Sequence, residues 1–138
     1  TYLFSKTMPL IITDRGGEFK HPDALECGID NVLRTNIYYC DPMASWQKPH
    51  CEKNHEYIRK ICPKTISTFD RLTQDDVNLM MSHINRSCRE SLGGLTPFAL
   101  AKLMLPKELL DFFDLKEIPA DEVILTPALL KGKIEINA

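Results

Sequence analysis

The 138-residue sequence predicts an α/β fold in which helices accompany a sparse sheet. Three observations carry that expectation. Residues 8–13 (MPLIIT) and 36–40 (NIYYC) concentrate the β-branched and aromatic side chains that suit a pleated surface. From residue 49 onward, apolar residues recur at helical spacing. Between these runs fall the Gly, Pro and Asp residues that end elements.

Taken in order, the first strand reaches Asp14 and runs into the turn signal Arg15-Gly16-Gly17, so it opens into a tight loop. Residues 23–27 suit a short helix stopped by Gly28. The second strand ends at Asp41-Pro42, because the residue before proline disfavours continuation. Pro49 fits the first turn of a helix that runs to about Cys62, where Pro63 closes it. On that helix Cys51, His55, Ile58 and Cys62 share one stripe, with Glu52, Glu56, Arg59 and Lys60 largely off it. Thr73 and Asp76 form a capping-box-like start for a helix with Val77, Met80, Met81 and Ile84 on one face. That methionine pair reads as core packing. Thr96-Pro97 opens a helix stopped by Pro106, and Leu109, Leu110, Phe112 and Phe113 are the apolar positions of another. Residues 118–130 are interrupted by proline and predict an extended tail with one short helical turn. No linker-like tract separates these segments.

Composition narrows the function classes. The chain is 43% hydrophobic, enough for a core and too much for a disordered chain of net charge −2. Its longest uncharged stretch, residues 91–101, holds two Gly and a Pro and does not suit a membrane span. Five Cys is an odd count, and the chain is longer than a disulfide-stapled mini-domain; both favour a reducing compartment and unpaired thiols. Near-neutrality conceals one basic stretch. Residues 48–64 hold five Lys/Arg against two Glu, a net of +3, beside the lone Trp46 and including Tyr57. Such a stretch is either a solvated helix face with Glu56 and Lys60 paired, or a helix that contacts phosphate.

Among the 19 acids, Asp14 and Glu52 stand out by position. One ends a strand, and the other lies in the first turn of a helix after the next strand. Strand ends and helix starts are where α/β proteins gather chemistry. Two carboxylates with open positions suit Mg²⁺, a hard cation that keeps several waters.

Several strings then carry a resemblance. DRGGEF (residues 14–19) resembles the D-N-G-x-E-F signature of DDE transposases and retroviral-type integrases. IYYCDPMASWQKPHCEKNHEYIRKICPK (37–64) is similar to the segment bearing the catalytic Glu in the bacterial insertion-sequence-thirty family of DDE transposases. SHINRSCRESL (82–92), TPF (96–98) and IPADEVILTPALLK (118–131) resemble later parts of the same family. The resemblance implies a partial ribonuclease-H-like integrase core lacking its first strands, followed by C-terminal helices and an extended tail. Residues 1–92 would belong to the catalytic core, and 93–138 to a helical extension and tail packed on it.

By that resemblance Asp14 is the second and Glu52 the third of three catalytic acids that bind two Mg²⁺ or Mn²⁺ ions. Gly16, Glu18 and Phe19 shape the turn presenting Asp14. Lys48, Lys53, Asn54, Arg59, Lys60, Lys64 and Arg89 contact the DNA backbone. The implied activity is DNA transposition by metal-dependent phosphodiester cleavage and strand transfer. The implied partners are transposon ends and target DNA, with homo-oligomerisation of the full-length enzyme in a bacterial, nucleoid-associated, cytoplasmic setting. Three departures accompany it. The family's first catalytic Asp precedes residue 1, so the chain is expected to be a fragment inactive by itself, with an uncovered sheet edge and exposed apolar surface. Arg15 stands where the family has Asn and would compete with a metal ion for Asp14. Pro49 stands where the family has Gly and would stiffen the start of the Glu52 helix. Two alternatives remain: a catalytically dead DNA-binding remnant, and a small zinc module built from Cys40, His50, Cys51, His55 and Cys62.

Overall fold

The structure is a computed structural model that describes residues 2–64 and 69–132, with backbone only at Ser45, His50 and Asp70. It is mixed α/β, with six α-helices and a two-stranded parallel sheet among the described residues. The chain divides into two compact units, residues 1–52 and 53–138. The sequence, having no linker-like tract, does not announce this division.

In the first unit, helix α1 (Tyr2–Thr7) leads into strand β1 (Leu10–Thr13). A single 3-10 turn (Gly17–Phe19) and helix α2 (Pro22–Glu26) follow, then strand β2 (Asn36–Tyr39). The two strands pair in parallel, with Leu10 opposite Asn36 and Thr13 opposite Tyr39. Parallel pairing demands a crossover long enough to return the chain to the same end of the sheet, and the segment bearing α2 supplies it. Glu26, the last residue of α2, accepts a 2.7 Å hydrogen bond from the Ile37 N–H at Oε1. A side chain thus satisfies a β2 amide that does not bond β1. Arg34 holds the crossover further, donating from Nε to the Leu25 carbonyl at 2.9 Å and lying 4.8 Å over the Phe4 ring.

Alternation along the strands puts Leu10, Ile12 and Tyr38 on one face of the sheet. Those side chains are 49%, 53% and 57% exposed. Parallel sheets normally have both faces covered, so this open apolar face is unusual. Thr13 and Cys40, by contrast, are buried. Helix α1 was not foreseen from the sequence, because YLFSKT carries neither a cap nor a clear period.

Helix α3 (Pro49–Ile61) runs from the first unit into the second. The second unit continues with α4 (Gln74–Asn85), α5 (Pro97–Met104) and α6 (Lys107–Phe112). Its core is Ile61, Met80, Ile84 and Leu130, with Tyr57, Ile58, Cys62, Leu72, Met81, Leu125 and Leu129 packed around them. The Met80/Ile84 face is therefore the core face, as its spacing predicts. The capping box also forms: the Asp76 N–H donates to Thr73 Oγ1, and the Thr73 N–H donates to Asp76 Oδ2. Thr96 caps α5 in the same way through the Ala99 N–H, with Pro97 in the first turn.

Two apolar stripes prove only partly buried, and one expectation, for the tail, is corrected. The stripe on α3 is buried only toward its end: Ile58 and Cys62 pack on the core, while Cys51 and His55 are exposed. On α6 only Leu109 is buried, and Phe112 stays 79% exposed, because a six-residue helix presents one narrow apolar face. The tail has two 3-10 turns, Ala120–Glu122 and Pro127–Leu130, the second delivering Leu130 to the core.

The polar side of α4 fastens that tail. Ser82 Oγ donates to the Asn78 carbonyl at 2.7 Å and accepts from the Lys116 N–H at 3.0 Å. Arg86 Nε donates to the Ile118 carbonyl at 2.7 Å, and the Ile124 N–H donates to His83 Nδ1 at 3.1 Å. Accepting at Nδ1 requires a neutral imidazole there, and burial holds the His83 pKa below its ordinary value of 6.5.

Two outcomes follow for stability. Ile84→Ala, at a site with 1% exposure, is expected to lower unfolding free energy by about 2–5 kcal/mol, whereas Leu103→Ala on the exposed side of α5 stays within about 0.5 kcal/mol. Urea denaturation measures both. Because the folded pKa of His83 is depressed, its contribution is complete above pH 6.5 and is lost as pH falls from there through the folded pKa. Thermal unfolding should therefore show a midpoint that drops between pH 7.5 and 5, with a smaller drop in His83→Gln.

Candidate functional site

Asp14 follows the last residue of β1, so the strand aims its carboxylate out of the end of the sheet. The turn after it holds that side chain. Asp14 Oδ1 accepts the Gly16 N–H at 3.0 Å, and the Phe19 N–H bonds back to the Gly16 carbonyl at 3.1 Å. The Tyr39 hydroxyl, from the last residue of the paired strand, donates to the Phe19 carbonyl and ties the turn to β2. Gly16 has an ordinary φ of −58°, so no left-handed backbone calls for glycine there. A Cβ would instead meet the Glu18 carboxylate at 2.5 Å. Gly16, Glu18 and Phe19 are thus parts of one turn. Beside it lies a shallow cleft of about 300 Å³ lined by Arg15, Gly16, Phe19, Lys20 and Tyr39.

The segment after β2 brings a cation to the same place. Asp41 and Gln47 staple the loop between β2 and α3: the Asp41 N–H donates to Gln47 Oε1 and Gln47 Nε2 donates to Asp41 Oδ2, both at 2.9 Å. Lys48 follows, with its carbonyl accepting the N–H of Cys51 at 3.1 Å and of Glu52 at 3.4 Å. Its Nζ reaches Asp14 Oδ2 at 2.8 Å. The Lys48 side chain is 20% exposed while Asp14 is 62% exposed, so the lysine stem lies against protein and its carboxylate partner faces solvent. The Lys48 ammonium, and next the Gly16 N–H, hold the Asp14 carboxyl below the usual carboxylate range. Asp14 in turn raises Lys48 above its ordinary value. Glu52 is exposed in the first turn of α3, one helical turn beyond Lys48. Pro49 occupies the first position of that helix, where its missing N–H costs nothing.

The arrangement adds one pairing to the sequence reading and corrects another. Lys48, read as a DNA contact, pairs with Asp14. The cation that lowers Asp14 is Lys48 and not the adjacent Arg15, which lines the cleft. Nothing in the sequence links positions 14 and 48, which the β1–β2 crossover brings together.

In the second unit the remaining predicted contacts behave unequally. Lys53 pairs with Glu56 at 2.6 Å, and each shifts the other toward its charged form. The sequence pairing of Glu56 with Lys60 is thus replaced by one with Lys53. Lys60 Nζ lies 5.1 Å from the Tyr57 ring centre. Arg89 lies over the same ring at 4.8 Å and donates from Nη1 to Asn54 Oδ1 at 2.9 Å. Asn54, Arg89, Lys60 and Tyr57 therefore form one cluster, and Tyr57 is the member that sequence reasoning left unassigned. Arg59 and Lys64 are exposed.

Asp14 and Glu52 supply hard oxygen donors of the kind Mg²⁺ and Mn²⁺ take. Asp14, however, already faces two donors, the Lys48 ammonium at 2.8 Å on Oδ2 and the Gly16 N–H at 3.0 Å on Oδ1, so a divalent ion there would have to displace Lys48. Among the described residues, no three His, Cys, Asp or Glu side chains are grouped to hold a metal ion. The thiols of Cys27, Cys40, Cys51, Cys62 and Cys88 are unpaired, and the His50 side chain lies outside the described residues. No described helix is long and apolar enough to cross a membrane. Comparison of the chain with protein-family models, with curated proteins and with solved structures found no match.

Removing the partner of Asp14 should be visible directly. Lys48→Gln is expected to raise the Asp14 carboxyl pKa toward its ordinary value of 3.8, read from the carboxyl ¹³C shift in an NMR pH titration.

Proposed function

We propose that this chain carries two of the three catalytic carboxylates of a DDE transposase, Asp14 and Glu52, together with a basic helix for the DNA backbone. The observation that supports this reading is the Lys48–Asp14 pair. It ties the residue just before α3 to the strand-end carboxylate, and Glu52 lies in the first turn of that helix. The finer fold reading, a ribonuclease-H-like core, is supported by the parallel β1–β2 pair with an acid at the end of its first strand.

In this reading Asp14 and Glu52 would hold divalent ions, whose chemistry is to activate an attacking oxygen and stabilise a leaving one at a phosphodiester. The protein's own contribution is orientation. The Gly16 N–H fixes Asp14 Oδ1, and Glu52 stands exposed in the first turn of α3. Lys53, Arg59, Lys60 and Lys64 supply positive charge along and just after α3. Asn54 and Arg89 shape the surface around Tyr57. Such contacts position a duplex without reading its sequence. Trp46, 73% exposed just before α3, adds a flat ring of the kind that stacks on nucleobases.

A second reading is a DNA-binding remnant without chemistry. It is favoured by the same ion pair, since an ammonium ion already satisfies one oxygen of Asp14.

The two readings separate by experiment. Asp14→Ala or Glu52→Ala should weaken Mn²⁺ binding, measured by electron paramagnetic resonance, and unchanged binding would remove those residues from a metal site. Affinity for a mixed-sequence duplex should fall steeply between 50 and 200 mM salt, by about 10-fold per two phosphates neutralised or less, and fall again in Lys53→Ala and Arg59→Ala. Duplex binding with no Asp14-dependent Mn²⁺ would favour the remnant. Absence of duplex binding would leave α3 a solvated face.

A further inference from the structure

We infer that the cleft between α5 and α6 in the second unit is a binding site for a small arylalkyl amine, whose ring covers the apolar floor while its ammonium group meets Asp114. The site makes no use of Asp14 or Glu52, so it stands or falls apart from the transposase reading.

The cleft has a volume of about 600 Å³, twice that of the cleft beside Asp14 and within the range of small-molecule sites. Helical spacing builds two of its walls. On α5, Phe98 and Lys102 lie four residues apart, and Leu105 caps the helix three residues on. On α6, Lys107, Leu110 and Asp111 share one face. After α6 the backbone turns at Asp114, with φ at 47°, and brings Asp114, Leu115 and Glu117 to the same cleft. Aspartate is among the few residues with a side chain that visit this left-handed region.

The lining sorts by polarity. Phe98, Leu105, Leu110 and Leu115 are half-buried, whereas the charged residues are exposed, so the first four form a floor and the others a rim. A flat ring laid on that floor removes apolar surface from water on both partners. The rim is unbalanced in charge. Lys102 pairs with Glu117 at 2.8 Å and Lys107 pairs with Asp111, which leaves Asp114 as the lining charge without an ion pair among the described residues. An ammonium ion brings the cleft to neutrality, and a ligand carboxylate would add a second unmatched negative charge. Lys102 shows that a cation fits over this floor, since its ammonium stands 5.9 Å from the Phe98 ring centre. A polyamine would leave the floor uncovered, so the amine must carry an apolar body. Asp114 is exposed, and its pairing therefore sets selectivity while the ring supplies most of the affinity.

The test titrates the full chain at pH 7 with three probes that share a ring and differ in charge: tryptamine, 3-methylindole and indole-3-propionate. Binding is read from the amide shifts of Leu105, Leu110 and Leu115 by NMR. Tryptamine should shift these amides with a Kd of about 1 mM, the size expected for a ligand of so few atoms. 3-Methylindole should bind about 2- to 5-fold more weakly, and indole-3-propionate more weakly again by a similar factor. Asp114→Asn keeps a residue suited to the left-handed backbone and should bring the three probes to within about twofold of one another. Glu108→Gln removes an equal charge from α6 outside the cleft lining and should keep the wild-type order. No shift of these amides with any probe up to about 10 mM would overturn the site. Equal affinity for the three probes in the wild type would overturn the amine. An order that survives in Asp114→Asn, or vanishes in Glu108→Gln, would overturn the role of Asp114. Shifts of the same amides on raising the protein concentration without a probe would mean that a second copy covers the cleft, and would overturn the small-molecule site.

Discussion

Within the first unit, everything near the candidate site depends on the parallel pairing of β1 with β2. A parallel pair cannot close through a tight hairpin, so the chain must travel out through the Asp14 turn and α2 and return before Asn36. That constraint sets both ends of the sheet. At one end Asn36 follows the crossover, and its N–H bonds the Pro9 carbonyl at 3.1 Å. At the other, Thr13 and Tyr39 finish side by side, so the segments that leave them start as neighbours. Asp14 and Lys48 meet because each lies in a segment that leaves the same end of a two-stranded sheet. Remove the register, and the Tyr39–Phe19 contact, the Asp14 turn and the ion pair lose their common frame.

The second unit is organised differently, around the two faces of α4. Its apolar face, Met80 and Ile84, meets Ile61 and Leu130 in the core. Its polar face, Ser82 and His83, with Arg86 at its C-cap, meets the backbone of the segment from Lys116 to Ile124. An irregular tail has no ladder of its own to satisfy its amides and carbonyls, so side chains of a neighbouring helix satisfy them instead. Buried Ser82 and His83 are consistent with this, because a polar group inside a fold is tolerated when it is hydrogen-bonded. The same economy appears at Glu26, which bonds an amide of β2 from the end of α2.

How much was legible beforehand varied with the range of the interaction. Local signals read well. Thr73 with Asp76, Thr96 with Pro97, and Pro49 at a helix start each act over three or four residues, and each element begins where those residues place it. Spacing also picked out Met80 and Ile84 as core. What depends on distant partners read poorly. Leu109 is buried while Phe112 on the same short helix is exposed, and hydrophobicity alone does not separate them. By the resemblance Arg89 and Lys60 were DNA contacts, with Lys60 alternatively the partner of Glu56; the fold places both over Tyr57 and bonds Arg89 to Asn54. Tyr57 drew notice only as an aromatic residue in a basic stretch.

The candidate site shows the same division most clearly. The sequence by itself determined that Asp14 ends a strand, that a Gly-Gly turn follows it, and that Glu52 lies at the start of a helix in the only basic stretch. These are properties of short strings, set by turn chemistry, capping and charge composition. Only the tertiary structure decided which cation Asp14 would hold. Arg15 is its neighbour in the chain, yet Lys48 is its partner in space, because backbone direction after β1 and the parallel crossover to β2 carry the distant residue to the carboxylate. An ion pair is formed by distance in three dimensions, and that distance is set by the pairing of the strands.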